Sequence, residues 1–393
     1  MNGFRYFDHA ATTPVRPEVR AAMQPFFEQW WGNPSSVYAL ARQARRAMEE
    51  ARDLVAEVLG CHADEIVFTS CGSESNNLAI KGVAMALRDR GDHIVTTSVE
   101  HHAVLHTCEW LEKHLGFRVT YLPVDEHGVV DLEALEGALT ERTVLVSVMY
   151  ANNEVGTVQP LREVVRLAKQ RGVLVHTDAV QAPGSLDLDV GALGVDLLSL
   201  SGHKFYAPKG VGLLYVRRGT PLVPQLQGGS QERNRRAGTE NVPYIVGMAK
   251  ALELAVDEMP RVVPHLRRLR DRLLREVPSR VPGCRITGHP VERLPHNASF
   301  VFQGVEAEPV LLGLDRHGIC ASSGSACTSA SMEPSHVLKA MGVPREFIYG
   351  SLRLTVGREN ADEDVDRLLD VLPGLVEEAR ATSPLASPRP RGV

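Results

Sequence analysis

A lysine placed to act as a nucleophile is the first chemically notable feature of the sequence. Lys204 follows the apolar run 197–200 by a few residues, in the segment SGHKFYAPKG. A lysine held in a turn of small and aromatic residues loses hydration, and a desolvated amine can form a Schiff base with a carbonyl compound. Ser201 and His203 add hydrogen-bond donors for an anion beside it. The alternative is a solvated loop lysine, the interpretation that suits Lys209, whereas the other five lysines fall on helical patterns.

A second nucleophile lies in a segment of small residues. Cys327 is in the middle of ASSGSACTSAS, residues 321–331. Because no bulky side chain here could pack in a core, the composition predicts an exposed, mobile loop. An accessible thiol on such a loop is a candidate nucleophile, whereas most cysteines are buried and only pack. The six cysteines contain no CxxC pair, so we expect free thiols in a reducing compartment.

A turn suited to an anion follows the apolar run 66–69. It reads SCGSESNN and leads into a helical pattern. Gly72 and Ser73 would let backbone N–H groups approach a phosphate at the helix N-terminus. A plain helix N-cap explains Ser73 equally well. Neither the P-loop nor the dinucleotide fingerprint occurs at this turn.

An acid follows the apolar run 173–177. Asp178 begins the segment DAVQ at the point where a strand would end. A buried carboxylate needs a partner, and a protonated pyridine nitrogen would be one. A helix N-cap or an acid in a surface turn is the alternative for a single aspartate.

Histidines cluster in the segment VEHHAVLH, residues 99–106. The ring of His102, just past the run 93–97, could stack on a planar cofactor. His102 and His106 are one helical turn apart, a spacing that also occurs in zinc sites. However, the HExxH pattern is absent and the sequence offers no evident third ligand.

Elements that could position these groups alternate along residues 64–216. Apolar runs of strand length are separated by helical stripes, such as the one formed by Ile80, Val83, Ala84 and Leu87. This alternation predicts an α/β fold with a mostly parallel sheet between helices. The predicted strands are 66–69, 93–97, 118–122, 144–150, 173–177, 197–200 and 211–216.

The pattern changes after residue 249, which suggests a second domain. We predict a large domain at 14–255 and a smaller α+β domain formed by 1–13 and 256–380, which carries the Cys327 loop. The proline- and arginine-rich residues 381–393 are predicted to be a disordered tail.

The composition limits the kinds of partner that we expect this protein to bind. The net charge of −5 gives no indication of nucleic-acid binding. No apolar run reaches the roughly 18 residues that span a bilayer, and the N-terminus lacks a signal-peptide pattern. We therefore expect a cytoplasmic protein without membrane or nucleic-acid partners.

The motifs together resemble the NifS/IscS class of cysteine desulfurases, within the fold-type I, class V aminotransferase-like enzymes. The similarity runs from YFDHAATTP at residue 6 to SLRLTVGRE ending at residue 359. SGHK and SSGSACTSAS are its most specific parts. GNPSS, VEHHAV, NNEVG, DAVQ and RAGT support it.

The resemblance implies pyridoxal 5'-phosphate as the cofactor and assigns roles to individual residues. Lys204 would hold the cofactor as a Schiff base, and Asp178 would pair with its pyridinium nitrogen. His102 would stack on the ring and transfer protons, and Gln181 would contact the phenolic oxygen. The phosphate would be bound by Gly72, Ser73, Ser201 and His203, with Thr239 reaching in from a second subunit. The ring edge and the substrate carboxylate would be contacted by Asn153, Arg353 and Asn33.

The same resemblance implies a reaction and partners. L-cysteine would become L-alanine, and Cys327 would attack the substrate sulfur and carry it as a persulfide to an acceptor protein, such as an iron–sulfur scaffold or a tRNA-thiolation relay. The protein would be a homodimer. Two features depart from the family pattern: the phosphate turn reads SCGSE where SGATE is usual, and SPLASPRPRGV replaces the longer C-terminal tail.

Other functions stay open on the sequence alone. A selenocysteine lyase or an aminotransferase could use the same scaffold, and an aminotransferase needs no cysteine at position 327. A non-catalytic partner protein for sulfur transfer would be expected to lack Lys204 or Cys327. A zinc hydrolase built on His102 and His106 is a more distant alternative.

Overall fold

The computed structural model describes residues 3–324 and 333–385. Its largest sheet has seven strands in the order β2-β8-β7-β6-β5-β3-β4. The strands of the described residues are β1 Arg5–Tyr6, β2 Ile66–Thr69, β3 His93–Thr97, β4 Arg118–Leu122, β5 Thr143–Ser147, β6 Leu174–Asp178, β7 Leu197–Ser201, β8 Gly212–Val216, β9 Cys284–Ile286, β10 Asn297–Phe302, β11 Ile319–Cys320 and β12 Ser351–Thr355.

Helices cover both faces of the seven-stranded sheet. α7, for example, turns the apolar residues Leu161, Val164 and Ala168 into the core, as its helical spacing predicts. The helices are α1 Pro17–Met23, α2 Pro25–Glu28, α3 Ala39–Leu59, α4 Gly72–Ala86, α5 His102–Leu115, α6 Leu132–Ala138, α7 Leu161–Gln170, α8 Val190–Leu193, α9 Val242–Asp257, α10 Met259–Arg280, α11 Ala307–Arg316, α12 His336–Ala340, α13 Arg345–Ile348 and α14 Asp362–Thr382.

The predicted sheet is confirmed, including its mostly parallel character. The β4-β3-β5-β6-β7 pairs are parallel, and only β8 runs against its neighbours β7 and β2. All seven predicted runs form strands of this sheet. The run 144–150 is shorter than predicted, because the chain leaves β5 at Ser147 and enters a loop in which Ala151 bridges Val158.

A second group of elements forms a separate apolar core. The sheet β12-β10-β9 packs with α10, α11 and α14 around residues such as Phe300, Leu314 and Leu368. Phe7, beside the short parallel pair β1-β11, is buried in the same core. The N-terminal segment thus crosses from this core towards the large sheet.

The C-terminal helix extends further than the sequence suggested. α14 continues to Thr382, so the first two residues of the predicted tail are helical, and residues 386–393 lie outside the described part. In residues 3–324 and 333–385, none of the helices combines the length and apolar character that a membrane span requires.

Candidate active site

Two neighbouring parallel strands bring an acid and a lysine to one edge of the sheet. Asp178 is the last residue of β6 and pairs in register with Ser199 of β7. β7 ends at Ser201, and Lys204 closes the short 3-10 turn that follows. Because parallel strands end at the same sheet edge, residues far apart in sequence meet there.

A cavity of about 340 Å³ opens at this edge. Most of the site residues predicted from the sequence line it, and so do Asn76, His101 and Glu154, which the sequence analysis did not single out. The predicted residues among its lining are Gly72, Ser73, His102, Asn153, Asp178, Gln181, Ser201, His203, Lys204 and Arg353.

Asp178 is fixed by contacts on both carboxylate oxygens. Its side chain accepts a 2.7 Å hydrogen bond from Asn76 Nδ2 and a 3.0 Å bond from the backbone N–H of Val180. The residue is only 6% exposed, so the negative charge is held in a poorly hydrated place. A cationic ring nitrogen in the cavity would therefore find a preoriented counter-ion.

The N-terminal segment crosses directly over Lys204. Lys204 Nζ donates hydrogen bonds to the carbonyl oxygens of Ala10 at 2.7 Å and Ala11 at 2.8 Å. The side-chain amide of Gln181 donates to the same Ala10 oxygen at 3.0 Å. The carbonyl groups hold the amine at the cavity, and this contact joins segments from both apolar cores.

The start of α4 packs closely against the segments that carry Val180 and Ser201, and only glycine fits at position 72. A Cβ atom at Gly72 would lie 2.9 Å from Val180 Cγ2 and 3.2 Å from Ser201 Cβ. The adjacent Ser73 is exposed towards the cavity end of the helix, and Ser201 is buried. Backbone N–H groups at a helix N-terminus favour a bound anion.

His203 supplies a neutral imidazole beside this turn. Burial lowers the pKa of His203 to about 4, and the nearby Lys204 and Lys209 charges act in the same direction. Its Nδ1 lies 3.1 Å from Thr12 Oγ1. Near neutral pH the ring can therefore donate a hydrogen bond without adding a second full charge next to Lys204.

Two successive histidines have different surroundings. His101 is the N-cap of α5, where its Nδ1 accepts the backbone N–H of Ala103 at 3.0 Å. Burial lowers the pKa of His101, with Asp178 opposing and Lys204 adding to the effect, so this ring lies within the field of both groups. Burial lowers the pKa of His102, with His336 and His106 adding to the effect and Glu109 opposing it.

The ring of His102 packs instead against two other imidazoles. Its centroid is 4.8 Å from that of His106 and 4.6 Å from that of His336. In the described part of the chain, no group of three or more histidine, cysteine or acidic residues is arranged to hold a metal ion.

Arg353 is buried and oriented by several acceptors. Its Nη2 donates to Asp8 Oδ1 at 2.8 Å, and its Nη1 donates to the carbonyl oxygens of Asn153 at 2.9 Å and Gly324 at 3.3 Å. Among the described residues, nothing accepts a hydrogen bond from its buried Nε. A guanidinium held in this way can bind a carboxylate in the cavity.

Three predicted residues are not seen in the cavity wall. Asn33 is exposed and its side chain accepts the backbone N–H of Ser35 at 2.9 Å. Thr239 is also exposed and lies outside the lining. Cys327 lies outside the described residues, but Gly324, just before the undescribed stretch, lines the cavity.

Sequence reasoning missed His101, Asn76 and Asp8. His101 had a signal, because the residue directly before a helix is the one that reaches over its N-terminus. Asn76 and Asp8 had none, since their partners Asp178 and Arg353 are 102 and 345 positions away.

Comparison with known proteins agrees with this architecture. A family model described as aminotransferase class-V matches residues 5–368. A curated relative from Dictyoglomus turgidum, named cysteine desulfurase IscS, is 53% identical over 379 residues, which is 96% of each chain.

Solved structures give the same picture. One described as a NifS-like protein superposes with a TM-score of 0.90 at 41% identity, covering 95% of this chain and 100% of its own. Another, described as SspA in complex with cysteine, has a TM-score of 0.77 at 35% identity and covers 91% of this chain and 100% of its own.

The fold and the site define the class: this is the architecture of fold-type I pyridoxal-phosphate enzymes. The chain belongs to the class V aminotransferase family and, within it, to the cysteine desulfurases. The resemblance seen in the sequence motifs is confirmed.

Proposed function

We propose that this protein is a pyridoxal-phosphate-dependent cysteine desulfurase that moves sulfur from L-cysteine to Cys327. The observation that carries the proposal is the meeting of Lys204 and Asp178 in one cavity, at the ends of adjacent strands. Full-length relatives named as cysteine desulfurases support it. The similar SspA structure is described as a complex with cysteine, which supports L-cysteine as the substrate of this protein.

The residues present fit the cofactor. The N-terminus of α4, at Gly72 and Ser73, lines the cavity and would bind a phosphate through its backbone N–H groups, with Ser73, Ser201 and neutral His203 as further donors. Asp178 would hold the ring nitrogen protonated, and Gln181 would face the ring's oxygen. When bound, pyridoxal phosphate withdraws electrons from the α-carbon of an attached amino acid.

We assign the stacked ring to His101 in preference to His102. His101 lies within the field of Asp178 and Lys204, whereas His102 packs on His106 and His336. His102 also lines the cavity. Near neutral pH an uncharged His101 can stack and exchange a proton.

Lys204 and Cys327 have separate roles in the proposed reaction. Lys204 would hold the cofactor, and its amine, when free, would take the proton from the substrate α-carbon. Arg353 would bind the substrate carboxylate together with Asn153, which lines the same cavity. The Cys327 thiolate attacks the substrate sulfur, the carbon–sulfur bond breaks, and a proton replaces sulfur on carbon. L-cysteine and a thiol thus become L-alanine and a persulfide.

We further propose a homodimer in which Thr239 of one subunit completes the phosphate site of the other. The exposure of Thr239 outside its own cavity supports this arrangement. A sulfur-acceptor protein, such as an iron–sulfur scaffold or a thiolation relay, would receive the persulfide. The proposed role of Cys327 requires a free thiol. Because a reducing compartment preserves free thiols, this role supports a cytoplasmic location.

The separate apolar cores support the predicted division into a large domain, 14–255, and a small domain, 1–13 with 256–380. In this arrangement Ala10 and Arg353 approach the cavity from the small domain, while Lys204 and Asp178 belong to the large one. The cavity therefore lies between the proposed domains.

The test is to compare wild type with Cys327→Ser. The variant should bind pyridoxal phosphate and cysteine, because Lys204, Asp178 and Arg353 are unchanged. The rate of alanine formation should fall to a small fraction of the wild-type rate, since a hydroxyl is a far weaker nucleophile towards sulfur than a thiolate. Mass mapping should find the persulfide on Cys327 in wild type. Alanine formed at the wild-type rate, or a persulfide on Cys320, would favour a lyase or an aminotransferase.

A further inference from the structure

The segment 228–239, which carries Thr239, is anchored to β2 by a buried ion pair. Arg52 and Glu232 have side chains that are each 2% exposed, and their closest nitrogen and oxygen atoms are 2.8 Å apart. Glu232 also accepts the backbone N–H of Phe68 at 2.9 Å, and Arg52 donates to the carbonyl of Ile66 at 2.9 Å. A buried pair is tolerated when its remaining polar atoms are hydrogen-bonded in this way.

The backbone at this anchor has an uncommon conformation. Glu232, Arg233 and Asn234 are three consecutive non-glycine residues with φ values of 45°, 55° and 63°. This left-handed conformation is unfavourable for residues that carry a Cβ atom, so the surrounding contacts must hold the turn in place. The path of the following residues is therefore defined by the Arg52–Glu232 anchor.

A second ion pair ties the same segment to the start of α4. Arg236 Nε donates to Glu74 Oε1 at 2.8 Å, and the two side chains are 21% and 18% exposed. Glu74 also accepts the backbone N–H of Ser70 at 2.7 Å. Although burial opposes it, the bonds from Arg236 and Ser70 hold the pKa of Glu74 below its usual range. Glu74 directly follows Gly72 and Ser73, the proposed phosphate cradle.

We infer that Arg236 is a positioning residue that couples the two cofactor sites of the dimer, an inference that rests on the proposed function. Through Glu74, its guanidinium joins the turn that carries the chain's own cradle, Gly72 and Ser73, to the segment that would present Thr239 to the partner. An anion bound at the cradle orders the turn that holds Arg236, and Arg236 in turn orders the Thr239 segment. By reciprocity, occupation of one site strengthens both dimerisation and binding at the second site.

The primary test is a titration of cofactor-free protein with pyridoxal phosphate, followed by its absorbance. Wild type should bind cooperatively. Arg236→Gln should bind roughly five- to tenfold more weakly, with a Hill coefficient that falls to about 1. The matched control is Arg218→Gln. It breaks an exposed ion pair, in which a guanidinium nitrogen of Arg218 lies 2.7 Å from Asp64 Oδ1, and it should bind the cofactor as wild type does. Sedimentation should show that added cofactor tightens the dimer in wild type and in the control, but less in Arg236→Gln.

Glu74→Gln provides a second variant in case Arg236→Gln destabilises the fold. Its amide oxygen can still accept from Ser70, but it loses the charge that faces Arg236. It should reproduce the loss of affinity and cooperativity, and the double variant should be no worse than either single variant, because the two residues act as one pair.

The outcomes separate the inference from the proposed function. Wild-type affinity and cooperativity in both Arg236→Gln and Glu74→Gln would overturn the coupling, as would non-cooperative binding by wild type or purely additive losses in the double variant. Failure of the wild-type protein to bind pyridoxal phosphate at all would instead overturn the proposed function.

Discussion

The amine of Lys204 lies 2.7 Å from the carbonyl oxygen of Ala10, a residue 194 positions earlier in the chain. The contact places a segment of the N-terminus directly against the proposed cofactor lysine. Carbonyl oxygens are acceptors only, so the amine is oriented as a donor until a cofactor engages it. The lysine is thus positioned by two distant parts of the sequence.

The covalent role of Lys204 can be tested by reductive trapping. Borohydride treatment of the cofactor-loaded protein should fix pyridoxal phosphate on the peptide that contains Lys204, because an amine at this strand exit is placed to form a Schiff base. Lys204→Ala should lose the trapped adduct, and Lys209→Ala, changed in the same loop, should keep it. An adduct recovered on any other lysine would contradict the assignment.

The two histidines at the start of α5 can be distinguished by matched substitutions. His101→Asn keeps a side-chain acceptor for the N-cap but removes the ring, so cofactor affinity should fall roughly three- to tenfold and the bound absorption band should shift. His102→Asn should change both much less, because its ring packs on His106 and His336. A larger effect from His102→Asn than from His101→Asn would restore His102 as the stacked ring.

Buried Glu100 should make stability depend on pH. Burial raises the pKa of Glu100 from 4.5 to about 8, although hydrogen bonds from Met149 and Thr97 oppose the rise. The carboxyl is fully buried, and both donors lie 2.8 Å from its Oε1. Between pH 4.5 and about pH 8 the unfolded chain has released the Glu100 proton while the folded chain keeps it, so the free energy of unfolding falls as pH rises.

Glu100→Gln removes this titration but keeps an oxygen that can accept both hydrogen bonds. Its free energy of unfolding relative to wild type should increase by roughly 1–3 kcal/mol between pH 5 and pH 8, measured by denaturant unfolding. The exposed Glu109→Gln on α5 is the control and should show no such trend. A difference between Glu100→Gln and wild type that stays constant with pH would show that Glu100 does not titrate in this range.

The local sequence determined the strands of the large sheet and the reactive side chains that follow them. Apolar runs of four to seven residues and the 3.6-residue stripes are short-range signals, so all seven strands could be predicted within a few residues. Lys204 and Asp178 were identifiable because each closely follows such a run. Motifs such as SGHK and DAVQ carried the family resemblance, since they are contiguous in the chain.

The tertiary structure decided which side chains meet. Asn76 reaches Asp178 across 102 positions, Arg353 reaches Asp8 across 345, and Arg236 reaches Glu74 across 162. Nothing in periodicity or composition encodes such pairs, because they arise only when strands and helices are packed. The same reason separates His101 from His102: their types are identical, and only the packing around the start of α5 brings His101 under the electrostatic influence of Asp178 and Lys204 and packs His102 against His106 and His336.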